Sequence, residues 1–382
     1  MKAAGEVSNP YGDDKVIDSC SLFGMMNTKG EKFPSSDPVR AITNMHERAN
    51  GLGGGFAVYG IYPEYDDLYA LHIMYMDKGV RKDTEKYLDR SFRVLLGEEI
   101  PTREAEVWNP PLFWRYFVEP KVSEMQSRQE SADDSIVDKV TKVNEKPKTF
   151  VLSSGKDMGV FKGVGFPEDI AEYFCLEEYQ GYLWICHGRF PTNTPGWWGG
   201  AQPFSILDWS VAHNGELSSY GANRRYVETH GYGCAMQTDT EVLAYALDLL
   251  VRKHGIPIQF AAKVLAAPFW EEIDSMSRSE RSVLTALRQV YGSLLMNGPF
   301  SIIVARQGEM VGLTDRIKLR PMTAAIEKDF VYLSSEEAAI RLVSPKPDRV
   351  WNPSGGEIVV GRLERPKILQ VALAHHTLRD AA

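Results

Sequence analysis

The sequence holds 382 residues with 25% charged side chains and a net charge of −8, enough for one large domain or two ordinary ones with an ample core. The acidic balance speaks against a general nucleic-acid or anionic-membrane binder, and no apolar stretch reaches bilayer-spanning length. Residues 1–19 lack the apolar core of a secretory signal, and the four cysteines (Cys20, Cys175, Cys186, Cys234) show no paired spacing of a disulfide framework or zinc site, so a soluble cytoplasmic protein is expected.

Behind the polar leader, "SLFGMM" (21–26) and "GGGFAVYGIY" (53–62) read as strands bounded by Gly, Pro and Asp. "LYALHIMYM" (68–76) suits a buried strand, with His72 a satisfied core histidine. "DTEKYLDRSFRVLL" (83–96) reads as a helix, because Leu88, Phe92 and Leu95 fall at i, i+4 and i+7. Residues 121–148 are polar and poor in aromatics, which predicts a surface connection. Strands resume in "TFVLSS" (149–154), "YLWICHGRF" (182–190) and "SILDWSVAHNG" (205–215). Two helices follow. In "TDTEVLAYALDLLVRKHG" (238–255), Thr238 and Glu241 have capping-box spacing and His254–Gly255 marks the stop; the second is "SERSVLTALRQVYG" (279–292). "PFSIIVARQG" (299–308), "EMVGLT" (309–314), "DFVYLSS" (329–335) and "GEIVVGRL" (356–363) complete the strands. Strands at both ends with helices between them suggest α+β or layered α/β, not a Rossmann sheet. "GLGGGF" (51–56) is followed by a strand, so it is not a dinucleotide fingerprint; its glycines let backbones approach closely.

Chemistry gathers in four short stretches. "DSC" places the thiol of Cys20 before a strand, as core filler or as a nucleophile. "CHGRFPTNT" (186–194) puts Arg189 at a strand end. "AHNGEL" (212–217) ends a strand on Asn214–Gly215, and "QTDTE" (237–241) opens a capped helix with Asp239. Each alone has a bland reading as an ion pair, a hairpin turn or a dipole-favoured acid.

Together and in this order they resemble the class II glutamine amidotransferases, members of the N-terminal-nucleophile hydrolases. The matching patterns are Cys20 to Gly24, His187 to Thr192, His213 to Gly215 and Thr238 to Glu241. "AQPF" (201–204), "GPFSIIVA" (298–305), "DRIKLRP" (315–321), "LSSEEAAI" (333–340) and "GGEIVV" (355–360) add to them. Within that family, "GLGGGF", "HGRFPTNT" and the insertion at about 62–148 are most similar to the amidotransferase part of glutamate synthase.

The resemblance implies an α+β fold, the four-layer αββα sandwich of the N-terminal-nucleophile type with an α/β insertion, formed by residues 20–382 after a leader at 1–19. It implies that Cys20 attacks the side-chain amide of L-glutamine, with its own freed α-amino group as base. Asn214 and Gly215 would hold the oxyanion, Arg189 the α-carboxylate and Asp239 the α-ammonium. Trp197 and Trp198, in "PTNTPGWWGG" (191–200), would belong to a lid. No cofactor or metal is expected on this chain. Ammonia would pass to a separate ammonia-consuming synthase subunit, which by resemblance carries FMN and an iron–sulfur cluster. A different synthase acceptor, or an unprocessed scaffold or regulatory subunit, are the alternatives.

Two departures from the family pattern matter. Ser21 stands where the residue after the nucleophile is usually glycine, so a side chain must fit beside the reaction centre. While Ser19 is attached, the Cys20 nitrogen is an amide and no base, so activity requires cleavage between Ser19 and Cys20.

Overall fold

The computed structural model describes residues 19–191 and 196–364. Two antiparallel sheets face each other. The first has seven strands in the order Arg349–Trp351, Thr323–Glu327, Phe330–Ser334, Ser21–Asn27, Leu183–Gly188, Gly54–Tyr59 and Met158–Gly163. The second has five, Phe204–Ile206, Trp209–Gly215, Phe300–Arg306, Glu309–Thr314 and Val359–Arg362.

Period-2 alternation sorts the side chains of the second sheet between two cores. On Trp209–Gly215, Ala212 joins Met26, Ile303 and Met310 between the sheets, whereas Val211 joins Val242, Leu243 and Ala261 under the helices. Packing between the sheets is close enough that a Cβ on Gly24 would stand 2.8 Å from the Met310 sulfur. Helices Ser36–Thr43, Pro167–Tyr173 and Glu337–Val343 cover the outer face of the first sheet. Tyr220–Thr229, Asp239–Leu247 and Ile258–Leu265 cover that of the second. The chain is α+β, with helix, sheet, sheet and helix in four layers.

A further four-stranded sheet, in the order Phe92–Glu99, Leu112–Pro120, Tyr69–Tyr75 and Thr149–Ser153, packs beside the sandwich. Its faces feed both cores: Ala70 and Met74 join one, Leu71 and Ile73 the other. His72 is fully buried here, with Nε2 2.7 Å from the Tyr62 hydroxyl and Nδ1 3.2 Å from the Val160 carbonyl oxygen. Burial pushes it down to about 3, so it is a neutral core histidine.

Three local expectations are corrected. The helix read over 83–96 occupies Lys78–Ser91, and Phe92 starts a strand. The i, i+4, i+7 pattern crossed that boundary by coincidence, since Leu88 and Phe92 are buried but Leu95 is 44% exposed. Residues 121–148 are not a bare connection. They contain helices Val122–Arg128 and Ala132–Asn144, the second started by the Ser131 hydroxyl accepting from Asp134 N. Ile136, Val137, Val140 and Val143 form its narrow buried stripe, which the polar average concealed. Finally, the Thr238 hydroxyl accepts from Thr240 N, but Glu241 does not complete a capping box; its carboxylate turns inward and accepts from Met236 N at 3.0 Å.

Candidate active site

Cys20 lies one residue before the central strand Ser21–Asn27. That strand pairs with Leu183–Gly188 in a register opposing Ser21 to Gly188, so the residues leaving the neighbouring strand emerge beside the thiol. Phe190 N donates to Cys20 Sγ at 3.3 Å. The register also answers the Ser21 departure. A Cβ at Gly188 would stand 2.3 Å from the Ser21 hydroxyl oxygen, so the bare glycine opposite makes the room that Ser21 takes.

The second sheet brings Asn214 and Gly215 to the same end. Asn214 Nδ2 donates to the Ser19 hydroxyl at 3.2 Å, one residue before the nucleophile. Gly215 has no space for a side chain, because a Cβ would lie 2.0 Å from the Pro299 carbonyl oxygen. At Gly55, in the glycine-rich stretch, a Cβ would meet the Gln202 carbonyl oxygen at 2.4 Å.

Asp239 opens helix Asp239–Leu247. Its carboxylate accepts from Leu217 N at 3.2 Å and lies 3.3 Å from His213 Nδ1 and from the Thr240 hydroxyl. Burial alone would raise it, but His213, Leu217 N–H and Thr240 together hold it below the usual carboxylate range, so it remains an anion. Arg189 is 9% exposed. Burial pulls its guanidinium down, opposed by Cys20 and Asp239 nearby. Cys20, Arg189, Asn214, Gly215 and Asp239 all line one cavity of about 790 Å³.

The two tryptophans part company. Trp197 lines the cavity and packs edge-on against Phe150, ring centroids 5.2 Å apart. Trp198 is 4% exposed, among Phe113 and Tyr173, and its indole N–H donates to the Trp108 carbonyl oxygen at 2.9 Å. It belongs to the core and does not line the cavity. Residues 192–195 of that loop lie outside the described residues, as do 1–18 of the leader.

Sequence reading missed two cations. Arg48 donates through Nε to the Cys20 carbonyl oxygen at 3.3 Å and through Nη2 to the Ser19 hydroxyl at 2.6 Å, while Nη1 pairs with Glu336 at 2.9 Å. Arg320 reaches the same hydroxyl at 3.3 Å. "HERAN" (46–50) carries no pattern that marks Arg48; Arg320 lay inside "DRIKLRP", quoted above without a role. Burial pushes the Cys20 thiol above its ordinary value, opposed by Phe190 N–H and by Arg189, Arg320 and Arg48. Among the described residues no three His, Cys, Asp or Glu side chains are grouped to hold a metal, and no helix is long and apolar enough to cross a membrane.

The family description "Glutamine amidotransferases class-II" matches residues 104–378. This chain belongs to the class-II glutamine amidotransferases. An uncharacterized protein of Archaeoglobus fulgidus is 56% identical over 356 residues, 92% of this chain and 94% of its own length. The amidophosphoribosyltransferase of Methanocaldococcus jannaschii is 23% identical over 56% of this amidotransferase, which spans only 41% of that longer protein. Among solved structures, a glutamine phosphoribosylpyrophosphate amidotransferase from B. subtilis aligns with 90% of this amidotransferase and 47% of its own chain, at 16% identity and a TM-score of 0.44.

Proposed function

We propose that this amidotransferase hydrolyses L-glutamine through a Cys20 thioester once residues 1–19 have been removed. The observation that carries the reading is the convergence of a thiol, an amide donor, a guanidinium and a carboxylate on one cavity from four separated chain segments. An amide is a poor electrophile, so a sulfur nucleophile needs both a base and a preset oxyanion site.

The freed α-amine of Cys20 is the base. Such an amine titrates near ~8 unperturbed, and the cations of Arg48, Arg320 and Arg189 around Cys20 favour its neutral form. It takes the thiol proton as Sγ bonds to the substrate carbonyl carbon, and Asn214 Nδ2 with Gly215 N–H holds the oxyanion. Collapse breaks the carbon–nitrogen bond, and the leaving ammonia receives the proton. Water, deprotonated by the same amine, then adds to the thioester carbon; the carbon–sulfur bond breaks, glutamate leaves, and the amine returns the proton to Cys20 Sγ. Arg189 grips the α-carboxylate with its planar fork and Asp239 pairs with the α-ammonium. Trp197, on the cavity wall, belongs to the cover that excludes water.

The ammonia consumer is assigned to a separate synthase subunit of glutamate-synthase type, carrying FMN and an iron–sulfur cluster. Co-purification of such a subunit, with glutamine-dependent product formation that ammonium salts replace, tests that assignment. The unprocessed scaffold is the second reading, favoured by Ser19: its hydroxyl occupies the Asn214 donor and two arginines at once. N-terminal sequencing and intact mass of the native protein decide between them. A chain beginning at Cys20 supports the enzyme, and a wholly uncleaved, inactive chain overturns it.

A further inference from the structure

His213 is 1% exposed and lines the main cavity, and no step above uses it. It immediately precedes Asn214 and Gly215 at the end of strand Trp209–Gly215. Its backbone is held on both sides: the N–H donates to Gln202 Oε1 at 2.6 Å, and the carbonyl oxygen lies 3.2 Å from His187 Nε2. A carbonyl oxygen only accepts, so His187 carries its proton on Nε2. Burial, with Arg189 adding to it, pushes His187 down to about 3, so that ring is neutral. His187 stands on Leu183–Gly188 of the facing sheet, so this hydrogen bond joins the two sheets beside the cavity.

The His213 ring is held from one edge. Nδ1 lies 3.3 Å from Asp239 Oδ1 and 3.3 Å from the Thr240 hydroxyl, which itself donates to Asp239 Oδ1 at 3.3 Å. A carboxylate only accepts, so Nδ1 carries a proton and donates it to Asp239. Nε2, on the other edge, has no hydrogen-bond partner among the described residues, and a Cβ on Gly215 would stand 2.8 Å from it. The imidazole therefore lies between the Gly215 turn and the Asp239 carboxylate. Leu217 N–H, two residues beyond Gly215, donates to Asp239 Oδ2 at 3.2 Å. Both oxygens of Asp239 are thus bound to the short run of chain that carries Asn214 and Gly215.

We propose that His213 is a positioning residue whose ring sets the spacing between the Asn214–Gly215 donors and the Asp239 carboxylate, and so selects amides that carry an α-ammonium. That this carboxylate receives the ammonium of glutamine rests on the function proposed above; the link from His213 to Asp239 does not. Without the imidazole, Asp239 keeps Leu217 N–H and Thr240 but loses the donor that fixes its Oδ1 side. The loss falls on the ammonium end of the substrate. A substrate with no ammonium has nothing to lose there.

The test compares L-glutamine with glutaramate, its deaminated analogue, which keeps the amide and the carboxylate but lacks the ammonium. Processed wild type, His213→Asn, His213→Gln, His213→Leu, Asp239→Asn and the His213→Leu/Asp239→Asn double variant are assayed with both. Preference is the ratio of kcat/KM for glutamine to that for glutaramate. It should fall about tenfold or more in His213→Leu and in Asp239→Asn, through the glutamine KM. The double variant should lose no more than the poorer single. His213→Asn puts an amide N–H near the position of Nδ1 and should keep the preference within about threefold. His213→Gln carries its amide one carbon farther out and should not. A preference that holds while both substrates slow together, or losses that add in the double variant, overturns the proposal. Should His213→Leu not fold, the contrast between His213→Asn and His213→Gln decides, and equal preference in the two has the same force. The link itself is read without activity, in nitrogen-15 spectra of the uncleaved chain. His213 Nδ1 should be protonated, and its signal should move in Asp239→Asn. An unprotonated Nδ1 sinks the link, whereas a processed wild type with no glutaminase activity sinks the functional reading.

Discussion

Asn214 Nδ2 donates to the Ser19 hydroxyl across a 3.2 Å gap, from the end of one sheet to the residue before the nucleophile on the other. The same hydroxyl donates to Asn214 Oδ1 at 3.3 Å, so the whole amide faces an oxygen beside the thiol, within reach of its Nδ2 donor. Asn214→Ala, in the processed protein, should lower kcat for glutamine hydrolysis roughly 10²–10³-fold, with KM nearly unchanged. A steady-state series in which KM rises and kcat holds would show that Asn214 binds substrate and does not stabilise the oxyanion.

Arg189 provides the converse signature. A charge-assisted bidentate hydrogen bond lost with the carboxylate still bound costs about 1.5–3 kcal/mol, roughly 10–150-fold in KM. Arg189→Ala should show that rise with a smaller change in kcat, and Arg189→Lys should recover only part of it. Unaltered saturation by glutamine would contradict the clamp.

The acid–base behaviour of the thiol offers a check that needs no substrate. In the uncleaved chain, burial holds the Cys20 thiol above its ordinary value, so at neutral pH it is protonated and unreactive. Raising the pH depopulates the thiol only once that elevated value is approached. Alkylation of Cys20 by iodoacetamide, followed by mass spectrometry, should stay slow at pH 7 and still be climbing at pH 9. A plateau reached near pH 7 would mean that Arg189, Arg320 and Arg48 outweigh burial.

The adjacent tryptophans separate packing from catalysis. Trp198→Ala empties a core site among Phe113 and Tyr173 and should cost about 3–5 kcal/mol in urea unfolding. Trp197→Ala removes a cavity wall and should mainly raise the glutamine KM at little cost in stability. Equal loss of stability in both would show that Trp197 is core as well.

Long strands were legible because short, nearly continuous apolar runs such as "SIIVA" and "EMVGLT", bounded by turn residues, signal strands buried on both faces. So was the helix opening at Asp239, where Thr238 is a strong start signal. The stretch 83–96 misled because a helical spacing continued by chance into Phe92, whose strand exists only through pairing with Leu112–Pro120. Ala132–Asn144 went unread because its four buried apolar residues are diluted along the chain by the Asp, Lys, Ser, Thr and Asn residues between them.

The order of Cys20, Arg189, Asn214–Gly215 and Asp239 along the chain fixed the family and the residue types available for chemistry, because each motif is contiguous and carries its own local geometry. Their meeting could not be read there. It depends on the Ser21 to Gly188 register, on the approach of two sheets and on a helix start packed against both, all contacts between residues far apart in sequence. Arg48 became visible only in three dimensions and Arg320 acquired a role only there, since a charged side chain takes its role from what surrounds it and not from its chain neighbours.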